Sequence, residues 1–393
     1  MSKTPKLRFK EFSGDWELAT LGDSAYIKGR IGWKNLKQEE YTEEGPYLIA
    51  GKHISNGIID WNKCDHISME RYDESPEIAL KNNDIIFSKD GSLGNPAIIE
   101  NLMSEATING TMMLVRLDNT FIYPKYFYYI LNSIYFEKLI SELKSGSSIP
   151  HIFQRDIVSF KFPITEIKEQ EKIASFFSLI DSKISLQREK VEALKDYKRG
   201  MMQKIFSREL RFKDDEGRDY PNWEEKKLGD LFNIKAGGDI KSDNVSKEMT
   251  EKNIYPVYAN ALTNKGLYGY TDTFKIEGDT ITVTGRGDIG YAIARSEKYY
   301  PIVRLLVLSP LEKLNIIYFE NIINFTNIFV ESTGVPQLTS PQLSKVKVSV
   351  PSFEEQEKIA KLLKGIDMKI EKEQQKLDSL NEYKKGLLQQ MFI

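Results

Sequence analysis

One long segment of this chain occurs twice. The run Gln170–Ala174 returns unchanged as Gln356–Ala360, and the match continues without a gap to Phe206 and Phe392. Across these two segments, 16 of 37 aligned residues are identical. Agreement of this extent between two parts of one sequence indicates an internal duplication, so the fold must contain two related units.

The stretches that precede the two copies also begin alike. Leu7–Lys10 (Leu-Arg-Phe-Lys) repeats as Leu210–Lys213, and each run is followed by a tryptophan, Trp16 or Trp223. The chain therefore alternates a module, a helix, a second module and a second helix. We place the first module at residues 1–160, the first helical segment at 161–208, the second module at 209–346 and the second helical segment at 347–393.

Both duplicated segments show the periodicity of a helix with one apolar stripe. Apolar residues recur in alternating steps of four and three, which is a heptad pattern, interrupted at Gln187 and at the matching Glu373. Each helix of about 37 residues would be roughly 55 Å long, and two matching stripes predict that the helices pack as an antiparallel coiled coil. The seam residues are Ile173, Phe177, Ile180, Ile184, Val191, Leu194, Ile359, Leu363, Ile366, Ile370, Leu377 and Leu380.

The modules themselves have the pattern of mixed strand and helix. Short runs such as Ile85–Phe87 and Thr280–Val283 are bounded by Gly and Asp, as expected for strands between turns. Residues 126–143 and about 316–329 follow strand-like runs and have a helical pattern. The predicted fold class is therefore α+β, with two mixed α/β modules that are each followed by a long helix.

Composition limits the setting in which the protein works. The formal net charge of −2 argues against a strongly basic surface, so any DNA contact would come from local basic clusters or from a basic partner. The single cysteine, Cys64, cannot form an internal disulfide and suits a reducing compartment. Because neither a signal sequence nor a membrane-length apolar run occurs, we expect a cytoplasmic protein without membrane attachment.

The motifs that an enzyme acting on DNA would need are missing from the sequence. The ATP-binding pattern G-x-x-x-x-G-K-[ST] does not occur. Asn95–Ile98 lacks the second proline and the aromatic ring of a methyltransferase motif. His53, His66, His151 and Cys64 do not have metal-ligand spacing. We therefore predict that this chain carries no catalytic residue, no metal and no cofactor.

Matching glycine-containing loops near the start of each module are the first candidates for DNA contact. They run over Lys28–Lys34 and Lys235–Lys241. Glycine lets a backbone approach DNA closely, while Lys and Arg attract phosphates, and an Arg can bind guanine with two hydrogen bonds. A plain solvated turn is an equally good interpretation. The candidate residues are Lys28, Arg30, Lys34, Lys235 and Lys241.

Two further pairs of loops have the same polar and flexible character. Ser88–Gly94 matches Thr284–Gly290 as a turn between two strand-like runs, and Ser145–His151 matches Ser332–Gln337 ahead of each terminal strand. Their different side chains predict that the two modules would read different DNA sequences. The alternative is that these loops are solvent-exposed turns that do not contact DNA. The candidates are Lys89, Ser92, Arg286 and Asp288 in the first pair, and Ser147, Ser148 and Gln337 in the second.

The doubled helix motif resembles that of a known protein family. The second helix begins with the pattern Pro-x-x-x-Glu-Gln-x-x-Ile-Ala at Pro351 and ends with Tyr-Lys-Lys-Gly-Leu at Leu387. The alternation of a variable module with such a helix resembles the specificity subunit of type I restriction-modification systems. The resemblance spans essentially the whole chain. It implies that each module is a target recognition domain that reads one half of a split double-stranded DNA site, while the helices set the spacing.

The resemblance also implies partners. A complex would contain two methyltransferase subunits docked on the helices, and two motor-nuclease subunits where cleavage occurs. S-adenosylmethionine would then belong to the methyltransferase, and ATP and Mg to the motor-nuclease. Two other interpretations remain open from the residues alone: an assembly scaffold that does not read DNA sequence, and a catalytic subunit whose motifs escape detection.

Overall fold

The protein divides into two compact units. The computed structural model describes residues 4–30, 36–145, 150–241, 244–328 and 336–392. The first unit comprises Met1–Gln187 with Lys376–Ile393, and the second comprises Arg188–Gln375. Each unit therefore contains one module together with part of each duplicated segment.

The first unit combines eleven described strands with four short helices and parts of two long ones. Its strands are β1 Glu17–Thr20, β2 Ala25–Gly29, β3 Tyr41–Ile49, β4 Ile54–Ser55, β5 Ile58–Ile59, β6 Asp65–Ile67, β7 Ile85–Ser88, β8 Gly94–Ile98, β9 Ala106–Ile108, β10 Met112–Leu117 and β11 Lys161–Ile164. The short helices are α1 Met69–Asp73, α2 Pro124–Ile130, α3 Ile134–Ser145 and α4 Gln154–Val158. The first long helix is α5 Ile167–Phe206, which continues into the second unit.

The second unit repeats this plan with nine described strands. They are β12 Glu224–Lys227, β13 Phe232–Ala236, β14 Tyr255–Tyr258, β15 Leu267–Thr271, β16 Thr280–Thr284, β17 Ala292–Arg295, β18 Tyr300–Pro301, β19 Leu305–Pro310 and β20 Lys347–Val350. Its helices are α6 Leu228–Leu231, α7 Ile316–Phe325, α8 Ser340–Ser344 and the second long helix, α9 Phe353–Met391, which continues into the first unit.

The main sheet has the same topology in both units. A four-stranded sheet has the order β2-β10-β7-β8 in the first and β13-β19-β16-β17 in the second. Even the register agrees, since Leu114 on β10 pairs with Lys28 and Ile86, while Val307 on β19 pairs with Lys235 and Thr282. Two-stranded pairs, β1-β11 and β12-β20, join the start of each module to its end. Two modules that share little sequence therefore share one fold.

Apolar residues predicted from the duplicated segments lie in the core of each unit. Ile173, Phe177 and Ile180 on α5 are buried in the first unit with residues near the end of α9. Ile359 and Leu363 on α9 are buried in the second unit, together with the end of α5. Among the other seam residues, Ile184, Val191, Ile366 and Leu377 are buried, and Leu194, Ile370 and Leu380 are half-buried.

One predicted helix is two helices in the structure. The pattern over 126–143 predicts a continuous helix, but α2 ends at Ile130 and α3 begins at Ile134. Side chains at the break bond to the preceding turn: Asn132 Nδ2 donates to Tyr128 O at 2.7 Å, and Ser133 Oγ donates to Ile130 O at 2.7 Å. Such side chains compete with the helical backbone, which explains the break. The other predicted helix, about 316–329, ends at Phe325 among the described residues.

Candidate nucleic-acid interface

Parts of three predicted loops meet in the first module. The amide of Lys89 donates to Thr111 O at 2.8 Å, and the amide of Ile152 donates to Lys89 O at 2.9 Å. Asp90 and His151 form an isolated β-bridge. The Lys89 side chain packs beside Gly29, because a Cβ atom at Gly29 would lie 3.5 Å from Lys89 Cε. We call this group, Gly29, Lys89, Asp90, Thr111 and His151, the first junction.

The second module brings the equivalent positions together. The amide of Gly285 donates to Arg304 O at 3.1 Å, and the amide of Leu338 donates to Gly285 O at 2.7 Å. Arg286 and Gln337 form an isolated β-bridge that corresponds to the bridge between Asp90 and His151. We call the group Gly285, Arg286, Arg304, Gln337 and Leu338 the second junction. Residues far apart in sequence thus form the same backbone arrangement in both modules.

The turn in each junction depends on a glycine. Gly91 and Gly287 have φ angles of +71° and +75°, a conformation that residues with a Cβ atom rarely adopt. Because both modules have this glycine, the turn keeps its shape while the side chains beside it change. The residues on either side of the glycine are Asp90 and Ser92 in the first module, against Arg286 and Asp288 in the second.

Charges within the first junction are paired with one another. Lys89 Nζ lies 3.4 Å from a carboxylate oxygen of Asp90, and the Lys89 side chain is 16% exposed. The other Asp90 oxygen forms a hydrogen bond with His151 Nδ1. The His151 ring in turn packs against Phe153, with ring centroids 4.4 Å apart. The first junction therefore presents a hydrogen-bonded Asp-His pair rather than an isolated cation.

The second junction has a different charge pattern. Arg286 is half-buried, while Asp288 and Gln337 are exposed. Its backbone is held by one side chain: Asn260 Oδ1 accepts from Gly285 N at 2.6 Å and from Arg286 N at 3.1 Å. The Asn260 amide nitrogen donates to Arg286 O at 2.6 Å. Asn260 therefore fixes the backbone at Arg286 through main-chain hydrogen bonds and does not bond to the Arg286 guanidinium.

Two lysines of the first pair of loops, Lys28 and Lys235, lie on edge strands. Lys28 on β2 is half-buried, with Nζ 5.7 Å from the centre of the Tyr26 ring. Lys235 on β13 is exposed, and Gly237 shortly after it donates to Leu305 O at 2.8 Å. Lys241 and, in the other module, Ser92 are also exposed. The contact of Gly237 with Leu305 places this loop beside the second junction.

Arg30 does not have the position that its sequence context predicts. The side chain is 5% exposed and donates to Ile108 O at 3.0 Å and to Ser75 Oγ and Thr107 Oγ1 at 3.3 Å. Burial lowers the pKa of the Arg30 guanidinium, with a further contribution from nearby Arg71. Because its donors are engaged inside the module, Arg30 is a structural residue rather than a surface cation. Lys34, Ser147 and Ser148 lie outside the described residues.

Part of the repeated Glu-Gln motif joins each module to a long helix. Glu169 is fully buried and accepts from Arg8 Nε at 2.7 Å and from Trp16 Nε1 at 3.2 Å. Glu355 is likewise fully buried and accepts from Arg211 Nη2 at 2.7 Å and from Trp223 Nε1 at 2.9 Å. A buried carboxylate requires such partners. The repeated Arg, Trp and Glu residues are therefore structural.

No group of three or more His, Cys, Asp or Glu side chains in the described ranges could hold a metal ion. Within the same part of the chain, no helix combines the length and the apolar character needed to cross a bilayer.

The sequence model of one protein family matches both halves of the duplication. The family is described as the type I restriction modification DNA specificity domain, and it matches residues 13–196 and 220–382. This chain belongs to the type I restriction-modification specificity subunits. The resemblance seen in the helix motif is thereby confirmed.

Known specificity subunits are similar to this one over nearly its full length. The type I restriction enzyme MjaVIII specificity subunit of Methanocaldococcus jannaschii is 26% identical, with 97% of this chain and 94% of the relative aligned. The crystal structure of a type I restriction-modification S subunit from Mycoplasma genitalium has a TM-score of 0.62 at 21% identity, with 99% of both chains covered. A second solved chain, from work on complex assembly and conformational transition of a type I system, has a TM-score of 0.56 at 16% identity, with 95% of this chain and 96% of that chain covered.

Sequence reasoning missed Arg304 of this specificity subunit's second junction and Asn260, which holds the junction backbone. Arg304 lies in an apolar stretch that has the pattern of a continuous strand, yet it is exposed at a turn with a φ of +70°. Asn260 reaches Arg286 from 26 residues away in sequence. A single sequence contains no signal for either placement.

Proposed function

We propose that this specificity subunit reads a double-stranded DNA site in two halves, one half with each module. The observation that carries the proposal is the pair of junctions. The same backbone arrangement occurs twice, but it displays Asp90 and His151 in one module and Arg286 and Gln337 in the other. A constant frame with different polar side chains is what two modules need in order to read two different base sequences.

We further propose that the two long helices pack as an antiparallel coiled coil that sets the spacing of the half-sites. Contacts inside each unit support this packing. In the first unit Lys384 Nζ lies 2.6 Å from Asp181 Oδ1, so the end of α9 contacts the start of α5. In the second unit Lys198 Nζ lies 2.7 Å from Asp367 Oδ1. These are corresponding pairs of the duplication with the helix roles exchanged.

In this proposal the chain recognises DNA and its partners perform the chemistry. Two methyltransferase subunits dock on the long helices and bring S-adenosylmethionine. Two motor-nuclease subunits bring ATP and Mg in the complete complex. Acting beside chromosomal DNA, such a complex works in the cytoplasm. The specificity subunit itself contributes no catalytic group and no cofactor.

The proposal is tested by expressing this chain with its neighbouring methyltransferase gene in a methylation-free host. Genome-wide base-modification sequencing should show a new two-part motif with methylated adenine. Omitting this chain is the control, and the motif should then disappear because the methyltransferase has lost its sequence reader. If a stable complex of the two proteins forms but modifies no defined motif, the chain is an assembly scaffold and the proposal is wrong.

A further inference from the structure

The two junctions differ most clearly in charge at equivalent positions. Asp90 and Arg286 each precede the glycine of the turn, and each bridges to the following loop. Thr111 and Arg304 also correspond, since their carbonyl oxygens accept from the amides of Lys89 and Gly285. Where the first module has a carboxylate and a hydroxyl group, the second therefore has two guanidinium groups on adjacent strands of backbone.

Both guanidinium groups of the second junction are available. Among the residues that the structure describes, neither Arg286 nor Arg304 has an ion-pair or hydrogen-bond partner for its side chain. Other arginines of this unit are engaged: Arg295 donates to Thr282 Oγ1 at 2.9 Å, and Arg211 is paired with Glu355. Arg286 and Arg304 thus differ from the structural arginines around them, because their side-chain donors can bind an outside ligand.

The geometry favours a base edge over a phosphate as that ligand. Asn260 fixes the backbone on both sides of the Arg286 peptide, which a diffuse electrostatic contact would not require. Asp288 places an exposed carboxylate on the same turn, and a carboxylate repels phosphates. Guanine presents two acceptors, N7 and O6, in the major groove, and the planar donors of Arg match them.

We propose that Arg286 and Arg304 select G·C pairs in the half-site read by the second module, with Asn260 as the residue that positions Arg286. The inference rests on the proposed function, because it presupposes that the modules read DNA. It goes further by assigning a base preference to one half of the site and the residues responsible. The first junction, which lacks an unpaired guanidinium, has no such preference.

The experiment uses the full chain with its methyltransferase in a methylation-free host, with modification sequencing as the readout. The wild-type motif should contain a G·C pair in one half-site. Arg286→Ala should relax that pair, lowering discrimination against other bases about 10- to 100-fold, since one bidentate contact contributes roughly that much. Arg304→Ala should relax a G·C pair of the same half-site, and the other half-site should be unchanged in both variants.

Two variants separate base reading from simple charge. Arg286→Lys keeps the positive charge but loses the planar pair of donors, so it should relax the same position as Arg286→Ala. Asn260→Ala keeps both arginines and should relax that position as well, because the backbone of Arg286 is no longer held. The matched control is Lys247→Ala, which removes an exposed cation of the same unit and should leave the motif unchanged.

Several results would overturn the inference while leaving the proposed function intact. One is a two-part motif that lacks a G·C pair in the half-site affected by the arginine variants. Another is an Arg286→Lys variant that keeps full selectivity. The third is a uniform loss of methylation at every site in the Arg286→Ala and Arg304→Ala variants. A wild-type chain that produces no motif at all would instead defeat the proposed function, and this inference with it.

Discussion

At the scale of single residues, His53 is a buried titratable group whose protonation opposes folding. It is 2% exposed, its Nδ1 accepts from Ala50 N at 3.1 Å, and its Nε2 lies 3.5 Å from Asp65 Oδ2 without a hydrogen bond. Burial lowers the pKa of His53 below its ordinary value of 6.5, and this outweighs the opposing effect of the Asp65 carboxylate. The imidazole is therefore neutral in the folded protein at pH 7.

This environment predicts that stability falls in mild acid. Below pH 6.5 the unfolded chain binds a proton at His53 that the folded chain resists, so the unfolding free energy decreases as pH falls, by at most about 1.4 kcal/mol per pH unit. His53→Gln should flatten that dependence. Urea unfolding between pH 5 and 8 measures it. Identical slopes for wild type and His53→Gln would contradict the assignment.

The sequence predicts those parts of the site whose structure depends on neighbouring residues, and it does not predict those that depend on residues distant in the chain. Glycine turns flanked by strand-like runs predict the loops at Lys89 and Arg286, and the structure places both at junctions. The placement of Arg30 is not local, because its partners Ser75 and Ile108 lie 45 and 78 residues away. The sequence predicts a cation in an exposed loop, whereas the structure has a buried arginine that is hydrogen-bonded inside the module. Which of these residues contact bases remains a prediction.

At the scale of elements, the duplication makes the long helices the most predictable part of the fold. A repeated heptad pattern identifies α5 and α9, because helix periodicity depends only on neighbours three and four residues away. The break between α2 and α3 was not predicted, since it results from Asn132 and Ser133 bonding to local carbonyl groups. The pairing order of the strands was also beyond sequence reasoning, because it depends on contacts between distant residues.

The corresponding ion pairs on the long helices provide a test of the proposed packing. Asp181 also accepts from the Tyr129 hydroxyl group at 2.8 Å, so the carboxylate beside Lys384 is fixed in place. Asp181→Lys should destabilise the protein because two ammonium groups would then meet. Adding Lys384→Asp should recover part of the loss, with a coupling free energy of about 1 kcal/mol. Thermal or urea unfolding of the wild type, the two single variants Asp181→Lys and Lys384→Asp, and the double variant measures this coupling.

The control for this cycle is an ion pair within one helix. Glu192 and Lys195 lie three residues apart on α5, with Lys195 Nζ 2.8 Å from Glu192 Oε1. Exchanging these two residues keeps the pair within its helix and should change stability little. A coupling free energy of zero between Asp181 and Lys384 would mean that α5 and α9 do not pack here as we propose.

At the scale of the whole molecule, each unit is completed by a part of the chain distant in sequence. Phe392, near the end of α9, packs in the first unit against Tyr126 and Phe177, with ring centroids 5.5 and 6.0 Å apart. Its counterpart Phe206, at the end of α5, packs in the second unit against Tyr318 at 6.0 Å. The duplication therefore does not produce two independent segments, because each module needs the helix end that follows the other module.

This arrangement predicts that the two phenylalanines protect different modules. Phe392→Ala should cost about 3 to 5 kcal/mol, the usual loss for a buried ring, and should loosen the first module although the residue lies some 265 positions after Tyr126. Phe206→Ala should loosen the second module. Hydrogen exchange resolved by peptide measures both effects, with β2 and β10 reporting on the first unit and β13 and β19 on the second. Each variant is the matched control for the other. The prediction is contradicted if Phe392→Ala speeds exchange only in the second module and Phe206→Ala only in the first, because each helix end would then stabilise the module directly before it in sequence.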